Sequence, residues 1–153
     1  MKTQSIFLFL IVLFILSACE QKHVYNKYES VDTKAWKATD TLSFPINIDT
    51  ENKSYQYAIS VRYSNDYEFS NIWLKVSIKG NQIDTSFRYE IPLFKNDGKP
   101  YGENSGSLFT QTIPLKTNLP LYQKGDYTFT VVQLMRKDPL NGISDIGIIV
   151  DKK

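Results

Sequence analysis

The sequence predicts an all-β fold, an antiparallel β-sandwich of about seven to eight strands with a barrel as the alternative, and three observations carry that expectation. Apolar and polar residues alternate with period two along most of the chain. Hardly any stretch carries the 3.6-residue period of an amphipathic helix. Turn-forming Gly, Asn, Asp and Pro separate the alternating runs at short intervals.

The elements follow in order. Leu42, Phe44, Ile46 and Ile48 share one face of a first strand. Tyr55, Tyr57, Ile59, Val61 and Tyr63 alternate with Gln56, Ala58, Ser60 and Arg62, which gives an aromatic-rich inner face and a polar outer one. Ile72, Leu74, Val76 and Ile78 repeat the pattern, with Trp73, Lys75, Ser77 and Lys79 opposite. A turn at Gly80-Asn81 leads to Ile83, Thr85, Phe87, Tyr89, Ile91 and Leu93, a hairpin by spacing. Asn96-Asp97-Gly98 marks another turn, and Tyr101 to Ser107, with two glycines, reads as an irregular loop. Phe109, Ile113 and Leu115 alternate again. Gly125-Asp126 opens a strand with Tyr127, Phe129, Val131, Gln133 and Met135 on one face, and a loop through Pro139 and Gly142 reaches a last strand at Ile146, Ile148 and Val150. No internal repeat interrupts the pattern, so residues 36–153 read as one β-sandwich domain.

The amino terminus is different. Lys2 precedes Ile6 to Leu16, eleven apolar residues without a break, and the polar chain begins at Glu20. As a helix that run would reach only about 17 Å against a bilayer core of about 30 Å, so it reads as a signal-peptide core and not as a span. The single cysteine closes the segment in Leu16-Ser17-Ala18-Cys19, which resembles a bacterial lipobox. Residues 1–18 are therefore expected to be cleaved, with Cys19 carrying the lipid that holds the protein to a membrane. Two or three acyl chains, at about 0.8 kcal/mol per buried methylene, make such an attachment effectively permanent. Residues 19–35 are expected as lipidated terminus and tether, with His23 a solvated residue within it.

Composition narrows the chemistry. The chain of 153 residues is 42% hydrophobic and 22% charged, with 18 Lys and Arg against 16 Asp and Glu. It has too many apolar groups for a disordered tail and too little basic excess for a nucleic-acid partner. Removal of the signal takes Lys2 with it and leaves 17 basic against 16 acidic side chains, so no net field steers a partner. One Cys and one His preclude an internal disulfide and any two-His or Cys-rich metal site, and no cofactor is expected. The loop Gly102-Glu103-Asn104-Ser105-Gly106 lacks the Lys-Ser or Lys-Thr and the helix of a phosphate loop. Asp84 and Glu90 would stand about 20 Å apart on a regular strand, too far for a glycosidase pair. Serine nucleophiles have no suitable His, and the chain is expected not to be an enzyme.

Two clusters stand out: Arg62 to Leu74, which joins two strands through charged, amide and aromatic groups, and Gln133 to Gly147. A purely structural account has Asp66 and Asn71 satisfying loop backbone, Arg136 pairing with a carboxylate such as Asp145, and Trp73 packing under a loop. A functional account makes Arg62, Asp66, Tyr67, Asn71, Trp73, Arg136 and Asp145 a contact surface, because Trp73 falls on the polar side of its strand and Trp, Tyr and Arg anchor interfaces. A third has Trp73 as a sugar platform flanked by the Asn71 amide.

Over essentially its whole length the chain resembles the GldH family of gliding motility lipoproteins of Bacteroidetes. The residues that carry this are Cys19 with its lipobox, Val24-Tyr25, Trp36, Asp66-Tyr67, Ser70-Asn71-Ile72-Trp73-Leu74, Asp84-Thr85, Gly98 to Gly106, and Gln133-Leu134-Met135-Arg136 with Leu140-Asn141-Gly142-Ile143 and Asp145-Ile146-Gly147. The last block is the most specific. Pro100-Tyr101, between Lys99 and Gly102, departs from the aromatic expected there. The resemblance implies an accessory, non-enzymatic envelope lipoprotein of the gliding machinery, which is coupled to type IX secretion, with other envelope proteins as partners. It implies an outer-membrane anchor facing the periplasm rather than an inner-membrane one, and it brings no catalytic residues. A glycan-binding β-sandwich lipoprotein is the alternative.

Overall fold

The computed structural model describes residues 23–49, 54–116 and 123–152; the lipobox and Cys19 lie outside the described residues. The chain forms β1 (His23–Ser30), β2 (Leu42–Ile48), β3 (Tyr55–Tyr63), β4 (Asn71–Gly80), β5 (Ile83–Pro92), β6 (Glu103–Ser105), β7 (Leu108–Pro114), β8 (Gly125–Gln133) and β9 (Ile143–Lys152). Two antiparallel sheets result, one ordered β1-β9-β3-β7-β6 and the other β2-β8-β4-β5. The all-β sandwich is thus observed, and every described element is a strand.

The period-two pattern explains the packing. Phe44 and Ile46 of β2, Leu74 and Val76 of β4, and Phe129 and Val131 of β8 line the inner face of one sheet, and all are buried. Ile59 and Val61 of β3 and Ile146 and Ile148 of β9 meet them from the other sheet. Each fully buried aliphatic side chain contributes on the order of 1.5–3 kcal/mol, so this shared core holds the sheets face to face. Tyr63, also buried, sets its hydroxyl 2.6 Å from the Tyr101 carbonyl oxygen and against that of Leu93 as well. Burial pushes its pKa up to about 12, against the smaller opposing effect of the Tyr101 hydrogen bond.

Two strands were not expected. Residues 23–30, read as tether, form β1 and pair along β9 from His23↔Asp151 to Ser30↔Asp145. The strand is concealed because a register shift at Val24 breaks its alternation, and because Lys27 and Glu29, opposite the inward Ile148 and Ile146, stay exposed on this edge strand. His23 is accordingly not a free spacer residue; its Nδ1 meets the Asp151 carboxylate. Within the loop expected at 101–107, Glu103–Ser105 pair with β7 as β6, too short and too exposed to leave a period.

The connections gather at two poles. Residues 31–41, 64–70 and 134–142 meet at one. There Trp36, 1% exposed, bridges Leu140 through backbone hydrogen bonds of 3.1 and 2.9 Å. Gly142 donates to Thr33 O (2.7 Å) and accepts from Ser64 N (2.9 Å), so it ties all three connections. Its φ is +81°, and a Cβ there would lie 2.4 Å from Tyr67 N, so only glycine fits without strain. At the opposite pole are His23, the Gly80–Gln82 turn, Lys116 and Lys124.

Candidate functional site

Near the pole of Trp36 and Gly142, on the outer side of the four-stranded sheet, a groove of about 540 Å³ is lined by Phe69, Trp73, Arg88, Leu134, Met135 and Arg136. Trp73 is placed by the same alternation that sends Ile72 and Leu74 inward. Leu134 donates its N–H to Trp73 O (2.8 Å) just beyond the end of β8, which sets the two residues side by side. Trp73 is 39% and Leu134 38% exposed, the two large hydrophobic residues left open to solvent among the described residues. The Met135 sulfur accepts the Trp73 N–H at 3.3 Å, and the Gln133 side chain accepts the Met135 N–H at 2.7 Å, so the floor of the groove is held from both sides.

The charges around it are lopsided. Arg88 and Arg136 line the groove, both exposed, and neither guanidinium is in an ion pair among the described residues. Lys75 stands directly across from Arg88 in the β4–β5 register, two like charges facing each other. Glu90, opposite Trp73, accepts a hydrogen bond from the Asn71 amide, and Glu68 is bound by Lys137.

The seven residues expected at a contact surface separate. Trp73 and Arg136 line the groove. Asn71 borders it with its amide committed to Glu90, which takes away the flanking group a sugar platform on Trp73 called for. Asp66 is exposed and holds the 64–67 turn, its backbone N–H donating to Ser64 Oγ (3.2 Å). Tyr67 is 4% exposed, donates its hydroxyl to Asn71 O at 2.9 Å, and burial raises its pKa. Arg62 and Asp145 lie on the other sheet, in register with each other. There the Arg62 guanidinium sits 3.9 Å over the Tyr28 ring, and Asp145 accepts hydroxyls from Ser30 and Ser144, both at 2.7 Å.

The structural expectation for Arg136 is therefore corrected: serines hold Asp145, and Arg136 faces the groove. Trp73 does not pack under a loop. Arg88, Leu134, Met135 and Phe69 were missed as groove residues; period two puts Arg88 on an outer face, and only the strand order brings it beside Trp73. A second hollow of about 400 Å³, lined by residues such as Gln56, Thr112, Pro114 and Asp151, lies toward the other pole. The Asp151 carboxylate there is engaged by His23. Among the described residues no cluster of His, Cys, Asp and Glu converges on a metal site.

Comparison with known proteins gives the family. The chain is 29% identical to the gliding motility lipoprotein GldH homolog of Christiangramia forsetii, over 97% of this chain and 95% of that one. It is 24% identical to the gliding motility lipoprotein GldH of Flavobacterium johnsoniae, over 100% of this chain and 99% of that one. Among solved structures, a family GH115 4-O-methyl-α-glucuronidase aligns over 89% of this chain and 18% of its own, at TM-score 0.42 and 13% identity. A family 35 carbohydrate binding module from Clostridium thermocellum aligns over 82% and 89%, at TM-score 0.36 and 12% identity. Both structural likenesses are too loose to carry an argument. The family model described as GldH lipoprotein matches residues 23–150, nearly the whole described sandwich. The chain belongs to the GldH lipoprotein family, a gliding-associated family of the cell envelope.

Proposed function

We propose that this protein is a lipid-anchored, non-enzymatic component of the gliding machinery, linked to type IX secretion, that works by holding other envelope proteins. In this reading residues 1–18 are cleaved, lipid on Cys19 attaches the chain to the outer membrane, and the sandwich faces the periplasm. The observation that carries it is the side-by-side exposure of Trp73 and Leu134 in a groove flanked by arginines that form no ion pair among the described residues. A solvent-facing Trp beside arginine is the composition of a protein contact and supplies no nucleophile, acid or base.

The test is genetic. The gene is deleted and complemented with wild type, Cys19→Ala or Trp73→Ala, and colony spreading is scored together with secretion of type IX cargo. Loss of both traits on deletion, restored by wild type and by neither variant, is the expected result. Normal spreading and secretion in the deletion strain would overturn the proposal.

A further inference from the structure

The groove also specifies the chemistry of what it holds. Its floor is apolar, from Phe69, Trp73, Leu134 and Met135, and among the described residues its charged lining groups are Arg88 and Arg136. Three cations, counting Lys75 across from Arg88, stand on this part of the sheet. Of the nearby carboxylates, Glu68 is bound by Lys137, whereas Glu90, hydrogen-bonded by the neutral Asn71 amide, keeps its charge and offsets one cation, so the patch retains an excess of two positive charges. Facing like charges destabilise a sheet, by up to about 1 kcal/mol for a direct pair. A site with that arrangement is relieved when an anion arrives.

The anchor indicates which kind of anion. Cys19 is four residues before His23, a reach of at most about 14 Å of chain, and His23 opens β1 at the pole opposite the groove. The strands between are long; the ten residues of β4 span roughly 30 Å. Lipid on Cys19 therefore holds the other pole against the bilayer and keeps the groove away from that membrane's headgroups.

Resting on the function proposed above, we infer that the groove binds an extended segment of a partner protein in which an aromatic or aliphatic side chain is flanked by carboxylates. The apolar side chain lies against Trp73 and Leu134. The carboxylates pair with Arg88 and Arg136, whose planar guanidiniums suit bidentate contact.

The experiment uses the full-length protein in its own cells, with a photo-crosslinking phenylalanine analogue in place of Leu134, and identifies the joined molecule by mass spectrometry. The expected product is a peptide of another protein with an apolar residue within a few positions of two or more Asp or Glu. Its yield falls about tenfold or more in Arg88→Glu/Arg136→Glu, the size of one strong contact, and holds in Lys116→Glu/Lys124→Glu at the other pole. A synthetic copy of the peptide binds the purified chain and weakens about tenfold with Trp73→Ala, whose melting curve shows that the fold is kept.

A crosslink to lipid, to polysaccharide, to a second copy of this chain or to a segment without carboxylates overturns the inference, as does a yield indifferent to the arginines or no crosslink at all. A crosslink to another envelope protein through a neutral segment, with spreading lost in the deletion strain, sinks this inference and leaves the proposed function standing. Normal spreading and secretion on deletion sinks the proposed function.

Discussion

Tyr28 lies across Gly147. A Cβ on Gly147 would come within 2.6 Å of the Tyr28 ring, and the Tyr28 hydroxyl reaches over β9 to donate to Ser60 Oγ on β3 at 3.1 Å. Ser60 in turn lies 2.9 Å from the Thr112 hydroxyl on β7, and Arg62 stacks on the same ring. One glycine thus allows an aromatic side chain to bind four strands on the outer face of a sheet.

Substituting that glycine should break the arrangement. Gly147→Ala is expected to lower stability by about 1–3 kcal/mol in urea unfolding, the range of an overpacked site. In a Tyr28→Ala background the same change should cost far less. The coupling measured in the double-mutant cycle should be on the order of 1 kcal/mol, and a coupling near zero would mean the ring does not need the space.

Gly142 and Gly98 separate strain from crowding. Both have positive φ, +81° and +79°, but nothing lies within 4 Å of a Cβ on Gly98, whereas Tyr67 and Asp66 backbone block one on Gly142. Gly98→Ala should cost only the backbone term, about 1 kcal/mol, and Gly142→Ala at least twice that. Equal unfolding midpoints for the two variants would refute the packing of the 134–142 connection against the 64–70 turn.

The two tryptophans report on opposite environments. With Trp36 buried at 1% and Trp73 39% exposed, Trp73→Phe should leave a blue-shifted emission resistant to acrylamide. Trp36→Phe should leave a red-shifted emission that acrylamide quenches readily. If quenching of the remaining Trp73 is weak in the purified protein, the groove is already covered.

Alkaline stability should depend on Tyr63. Its folded pKa of about 12 stands above the ordinary value near 10, so the native chain keeps its proton longer than the unfolded one. That contribution is fully present below about pH 10 and is lost as pH climbs toward 12. Stability measured across that window should fall, and Tyr63→Phe should flatten the fall. At neutral pH the same variant should lose about 1 kcal/mol, because it takes the hydroxyl donor from the Tyr101 carbonyl, while the Leu93 carbonyl keeps the Tyr101 N–H. An unchanged alkaline slope would exclude this hydroxyl as the cause.

What the sequence shows of this fold depends on burial. Strands β2, β3, β4, β8 and β9 have one face in the core, so each carries the period that the core imposes. β1 has a bulge and exposed Lys27 and Glu29, and β6 is exposed throughout, so neither carries it. The groove was half visible for a related reason. Period two gives Trp73 its outward direction, but the neighbours that make it a site come from the order β8-β4-β5, a long-range pairing that no local pattern encodes. Arg62 and Asp145 were grouped with it by sequence proximity and belong to the other sheet.

The placement of β1 has a mechanical consequence. It is an edge strand whose backbone, among the described residues, pairs with β9 along seven register positions, and its first residue is four positions from the proposed lipid attachment. A partner pulling from the groove would load β1 along its own axis, so the pairs resist together in shear instead of opening one after another as a zipper does. Attached through the opposite end of that strand, the same ladder would peel. With the lipid and the partner placed as proposed, the order of anchor, strand and groove would make the domain a coupling suited to tension.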